Sequence, residues 1–157
     1  MAETECGFRS TGGVSGRDLL VAYGPTLIVN IGFDPNYNPR APTGPPVPGI
    51  TGLHALVDTG ATESCIDNLL AVQLNLSIVD RRPISGVHGS KEANMYLAQV
   101  YVPSLNFTIY GAFAGVDLQA GGQVHSALIG RTFLQRIRMV YDGPTGSVTL
   151  TLPQAVP

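Results

Sequence analysis

Apolar residues in this chain come in short runs, often alternating with polar ones and broken by glycine or proline. That is the pattern of strands joined by turns rather than of long amphipathic helices. Residues 19–23 (LLVAY) and 26–33 (TLIVNIGF) read as two strands joined across Gly24-Pro25. Residues 34–52 hold half of the prolines, and so many locked φ angles predict a long loop of partly polyproline character. Residues 53–57 (LHALV) form a strand that runs straight into Asp58-Thr59-Gly60-Ala61. Ser64 is placed to cap a short helix, with Ile66, Leu69, Leu70 and Leu74 on one apolar face. Residues 83–90 (PISGVHGS) predict a glycine-bearing hairpin tip, and residues 95–102 the strand returning from it. Another strand covers 107–114. Residues 127–129 (ALI) enter Gly130, and a short helix follows over 132–137. Residues 139–141 and 148–152 close the chain as a hairpin around Asp142-Gly143-Pro144-Thr145-Gly146.

The expected organisation is a mobile polar tail over residues 1–16 and one domain over 17–157, with residues 34–52 as a surface insertion. A chain of 157 residues suits one domain, and with 44% hydrophobic residues it can bury a core without help from disulfides or metals. Nineteen glycines and twelve prolines, with frequent Val, Ile and Thr, make the fold class all-β. Only 13% of residues are charged and the net charge is −2, so there is no basic footprint for nucleic acid. The first ten residues lack the apolar stretch of a secretory signal, and no run approaches the roughly 20 apolar residues of a membrane span. The expectation is a cytoplasmic protein with no membrane partner, and hence no disulfide between Cys6 and Cys65. His54, His88 and His125 lack metal-ligand spacing with either cysteine, so neither a metal nor another cofactor is expected.

The chemistry concentrates at Asp58. A carboxylate at the end of an apolar strand sits at the rim of the core, where burial is unfavourable by several kcal/mol unless it is hydrogen-bonded or functional. Gly60 lets the backbone bend tightly and turn its N–H groups toward the charge, and Thr59 adds a hydroxyl. A plain turn aspartate capping a strand end is the alternative reading. Three residues alone are a weak signal; the apolar strand before them and Ala61 after them strengthen it.

The run ALVDTGAT, residues 55–62, resembles the active-site loop of retropepsins, the single-lobe aspartic proteases of retroviruses and their cellular relatives. Residues 23–32 (YGPTLIVNIG) are similar to the family's first long strand. Residues 127–137 (ALIGRTFLQRI) are similar to its second signature, carried here by Leu128, Ile129, Gly130 and Arg131. The resemblance implies a retropepsin-like acid protease fold, a closed or partly open β-barrel-like domain with one or two short helices. It implies an aspartic endopeptidase acting on peptide or protein substrates as a homodimer, since the chain has one Asp-Thr-Gly and each subunit would supply one Asp58. Two carboxylates about 3 Å apart repel by roughly 5 kcal/mol at an effective dielectric near 20, so the pair would hold one proton between them. Thr59 would reach across the dimer axis, Gly60 would bind substrate backbone, and Gly86, Val87, His88 and Gly89 would form a flap over the peptide.

The chain also departs from the family. Many retroviral members carry an acid directly after Asp-Thr-Gly-Ala, paired with the arginine of the second signature. Here that position is Thr62, leaving Arg131 to pair with Glu63 or with backbone carbonyls. The proline-rich loop is longer than its viral counterpart, and the final hairpin extends past the viral end point, as in bacterial and cellular members. A non-catalytic peptide-binding or dimerisation module that keeps this fold is the rival reading. His88 reads as a solvated turn histidine and Cys65 as a small core residue.

Overall fold

In the computed structural model, which describes residues 2–86 and 89–154, the elements run from β1 (Ala2–Glu5) through α1 (Gly16–Tyr23), β2 (Thr26–Gly32) and β3 (Ile50–Val57). There follow β4 (Cys65–Asp67), α2 (Asn68–Gln73), β5 (Ile78–Gly86), β6 (Gly89–Val102) and β7 (Phe107–Val116). The chain ends with β8 (Ala127–Ile129), α3 (Arg131–Leu134), β9 (Arg138–Asp142) and β10 (Ser147–Leu152). The fold is all-β. None of the helices among the described residues is long and apolar enough to cross a membrane.

Seven strands form one sheet in the order β2-β3-β8-β4-β7-β6-β5, and β2 also pairs with β6, so six of them close a ring. The length of β6 makes this possible. Its first half pairs with β5 as a projecting hairpin, and along the same edge Gln99–Tyr101 pair with Gly32–Asn30 of β2. Alternation along β2 puts Leu27, Val29 and Ile31 inside, where they pack in one cluster with Val100, Val102, Ala127 and Ile129. A second sheet, β1-β10-β9, covers one end.

Residues 2–16 are not a loose tail. β1 pairs antiparallel with β10, Ala2 opposite Leu152, and Cys6 is buried. Glu5 locks the seam. Its Oε1 accepts the Val148 N–H at 2.8 Å and its Oε2 accepts from the hydroxyls of Ser147 (3.0 Å) and Thr149 (3.2 Å). Partial burial pushes this carboxyl up, but these bonds outweigh it and hold it below the usual range. Both cysteines are free thiols.

Residues 19–23 are helical rather than extended. Ser15 caps α1 by accepting the Asp18 N–H, and Gly24, at φ 70°, ends it by donating to the Leu20 carbonyl. The helix expected from Ser64 also begins later. Residues 65–67 are a strand, Asp67 is the N-cap, and α2 has six residues. The proline-rich segment is tied at its base. Asp34 Oδ2 accepts the Val47 N–H at 2.9 Å, while the buried Gln99 side chain accepts the Asp34 N–H and donates to the Asp34 carbonyl.

Candidate active site

The site is built where three short strands meet. β8 lies between β3, which it parallels with Val57 beside Ile129, and β4, which returns antiparallel with Cys65 beside Leu128. The connection over residues 58–64 therefore straddles the end of β8. Backbone bonds fix it there: Asp58 N–H to the Ile129 carbonyl (2.9 Å), Arg131 N–H to Ala61 (2.9 Å) and Thr132 N–H to Thr62 (3.0 Å). Ser64 contributes not a helix cap but an acceptor, its Oγ taking the Gly130 N–H at 3.0 Å.

Gly130 is required by this crossing. A Cβ there would stand 2.6 Å from the Glu63 carbonyl carbon and oxygen and 3.0 Å from the Ala61 oxygen. Those are backbone atoms with no freedom to move aside. Arg131 then reaches back over the loop, donating from Nη1 to the Thr59 carbonyl at 2.7 Å and from Nη2 to Thr62 Oγ1 at 3.0 Å. Of the two partners expected, a backbone carbonyl is found and Glu63 is not. The Thr62 hydroxyl receives the guanidinium as well.

Held in this frame, Asp58 is half-buried, and its Oδ1 accepts the Gly60 N–H at 2.9 Å. Oδ2 takes no hydrogen bond among the described residues and is available to a ligand. The carboxylate opens on a cleft of about 650 Å³ between the loop and the β5–β6 hairpin. Gly60, Ala61, Thr62, Glu63 and Cys65 line the loop side, Arg82, Pro83, Ile84 and Ser85 the hairpin side, and Met95, Ala114, Val116 and Leu128 the floor. The Cys65 thiol is pushed up to about 11 by burial, with the negative charges of Asp58 and Glu63 adding to the effect. It remains a protonated, weakly nucleophilic wall of the cleft.

The chain matches no protein-family model. No curated protein matches its sequence. Among solved structures it is similar to EIAV protease complexed with an inhibitor, at 22% identity and a TM-score of 0.47, over 71% of this chain and 85% of that one.

Of the residues expected at the site, Asp58, Gly60, Ala61 and Leu128 meet in the cleft, with Ile129, Gly130 and Arg131 supporting them from β8 and α3. Thr59 turns away from the cleft into a second, apolar hollow with Arg131, Leu134, Gln135, Ile137 and Met139. Gly86 and Gly89 pair at the end of the β5–β6 hairpin. Val87 and His88 lie outside the described residues. Among the described residues of β5, Arg82, Pro83, Ile84 and Ser85 line the cleft. Sequence reasoning missed Arg82, Ile84, Met95 and Val116. Their alternation on paired strands carries no mark of a cleft until the hairpin is folded over Asp58.

Proposed function

We propose that the chain is a retropepsin-like aspartic endopeptidase whose active centre combines Asp58 from two copies. The observation that carries this reading is the Asp58 loop itself. A half-open carboxylate is braced by Gly130 and Arg131 at the mouth of a cleft that a β-hairpin overhangs. One chain supplies one such carboxylate; the other described aspartates are tied into turns, caps or surface ion pairs, or lie outside the cleft.

In this reading the ionised Asp58 takes a proton from a water held between the two carboxylates. The water oxygen attacks the peptide carbonyl, and the protonated Asp58 of the second copy donates to the developing oxyanion. Collapse of the tetrahedral intermediate breaks the C–N bond as a proton passes to the leaving amine, and the pair is ready for another proton-sharing cycle. An extended peptide would lie between the loop and the β5–β6 hairpin and add main-chain hydrogen bonds to it. Ile84, Met95, Val116 and Leu128 favour an apolar side chain beside the cut bond, with Arg82 and Glu63 offering charges at the rim.

Digestion of a peptide library from pH 4 to 7 by the wild type and Asp58→Asn in parallel tests this. Cleavage by the wild type alone supports the aspartic mechanism. Equal cleavage by both ends it, and peptide binding without cleavage by either leaves a non-catalytic binding module.

A further inference from the structure

We infer that residues 39–48 are a docking ridge for a partner domain that reads polyproline, one with a groove of stacked aromatic side chains and carboxylates at one end. None of these residues lines the cleft, so the ridge is independent of whether the chain cleaves peptides.

Pro39, Pro42, Pro45 and Pro48 recur every three residues. Polyproline II completes a turn in three residues, so prolines at this interval stand in line about 9 Å apart on one face. From Ala41 to Pro48 only Thr43 is neither a proline nor followed by one, and such residues favour the extended region. Pro45 to Pro48 adopt neither helix, strand, turn nor bend. Thr43 and Gly44 form a bend at the one unconstrained residue, and straightening it brings Pro42 into the line. Among the described residues no backbone N–H bonds to a carbonyl between Pro42 and Pro48. Those carbonyls are left for the indole and phenol donors of a partner.

Burial sorts the three faces of such a helix. The four prolines are exposed, and so are Ala41, Gly44 and Val47, which precede three of them. Val47 is 70% exposed. Pro46, out of step with the four, is buried and sets the third face against the domain. Two faces, built of the pairs Gly44-Pro45 and Val47-Pro48, are thereby left to solvent. The end of the segment is held by Asp34 Oδ2 on the Val47 N–H and by the Gly49 N–H on the Ile31 carbonyl at 3.2 Å. The ridge is therefore presented already ordered, and less conformational entropy is lost on docking. At its head Arg40 is exposed and is the only Asp, Glu, Lys or Arg between Asp34 and Asp58. It forms no salt bridge among the described residues. Asn38 holds it in a turn, accepting the Arg40 N–H on Oδ1 at 3.0 Å and the Ala41 N–H on its carbonyl at 3.2 Å. A single cation at the head of an apolar ridge complements an aromatic groove with acid at one end.

Calorimetric titration of the intact chain with a panel of isolated SH3 and WW domains tests the inference. At least one domain should bind with a Kd below roughly 1 mM. Pro45→Ala and Val47→Ser should each raise that Kd by on the order of 10-fold, and Arg40→Glu should raise it similarly while flattening its salt dependence. Thr43→Ala, on the third face, should leave it unchanged. All four variants should keep the wild-type melting temperature, because Asp34 and Gln99 still hold the base of the segment. If Pro45→Ala lowers the melting temperature, Val47→Ser carries the same reading with every proline in place. Binding by no domain at roughly 1 mM overturns the ridge. So does binding that Thr43→Ala weakens as much as Pro45→Ala, or that survives all three ridge substitutions.

Discussion

Asp58 and Asp67 stand at the ends of the two strands that flank β8, and the chain treats them in opposite ways. Asp67 is fully buried, and its oxygens are met by fixed backbone donors: Leu118 N–H at 3.0 Å and Gln119 N–H at 3.3 Å on Oδ1, Leu70 N–H at 3.4 Å on Oδ2. It caps α2 and pins the turn after β7, so its charge is spent on structure. Asp58 has one such donor and an open face toward the cleft. The contrast separates a carboxylate that is finished from one that is available. Burial alone would have selected the wrong residue.

The largest expected effect tests the available one. Asp58→Asn should lower peptide cleavage at least about a thousandfold while leaving the urea midpoint near wild type, because little of the fold depends on that oxygen. Asp67→Ala should do the opposite, reducing unfolding free energy by about 3 kcal/mol through three orphaned N–H groups, with the folded fraction still cleaving. Chemical denaturation beside a peptide assay reads both, and interchanged outcomes would break the comparison. Gly130→Ala should fall between them, destabilising by about 2 kcal/mol and displacing the Asp58 loop, since the added methyl meets backbone. The smallest effect is electrostatic. Cys65 should alkylate slowly at pH 7, when roughly one thiol in ten thousand is ionised, and faster as pH rises toward about 11. Asp58→Asn should speed iodoacetamide labelling by removing a negative charge that raises this thiol, and Asp67→Asn should leave it unchanged.

What was legible follows the range of the interactions. The alternating run over residues 95–102 marked β6, and the Asp58 and Gly130 signatures marked both halves of the loop frame. Each is a local pattern with a local cause. β1 was not legible: Ala-Glu-Thr-Glu has no apolar face, and its pairing with β10 depends on residues at the far end of the chain. For residues 19–23, a short apolar run that suits strand or helix alike, the deciding signals were Ser15 and Gly24 at its two ends. Asp67 went unnoticed because Ile66, Leu69, Leu70 and Leu74 fit one helical stripe that passes over it. Only the turn at Leu118 and Gln119, supplied by another part of the chain, shows what that carboxylate does.

The clamp that joins Asp34 to Val47 and Gln99 makes the proline-rich segment separable from the sheets it interrupts. With both feet held, residues between Asn38 and Thr43 can be lengthened, exchanged or interrupted by a foreign sequence without shifting β2 against β3. A fluorescent reporter grafted there would leave every residue that lines the cleft unaltered, giving a handle by which peptide binding could be followed.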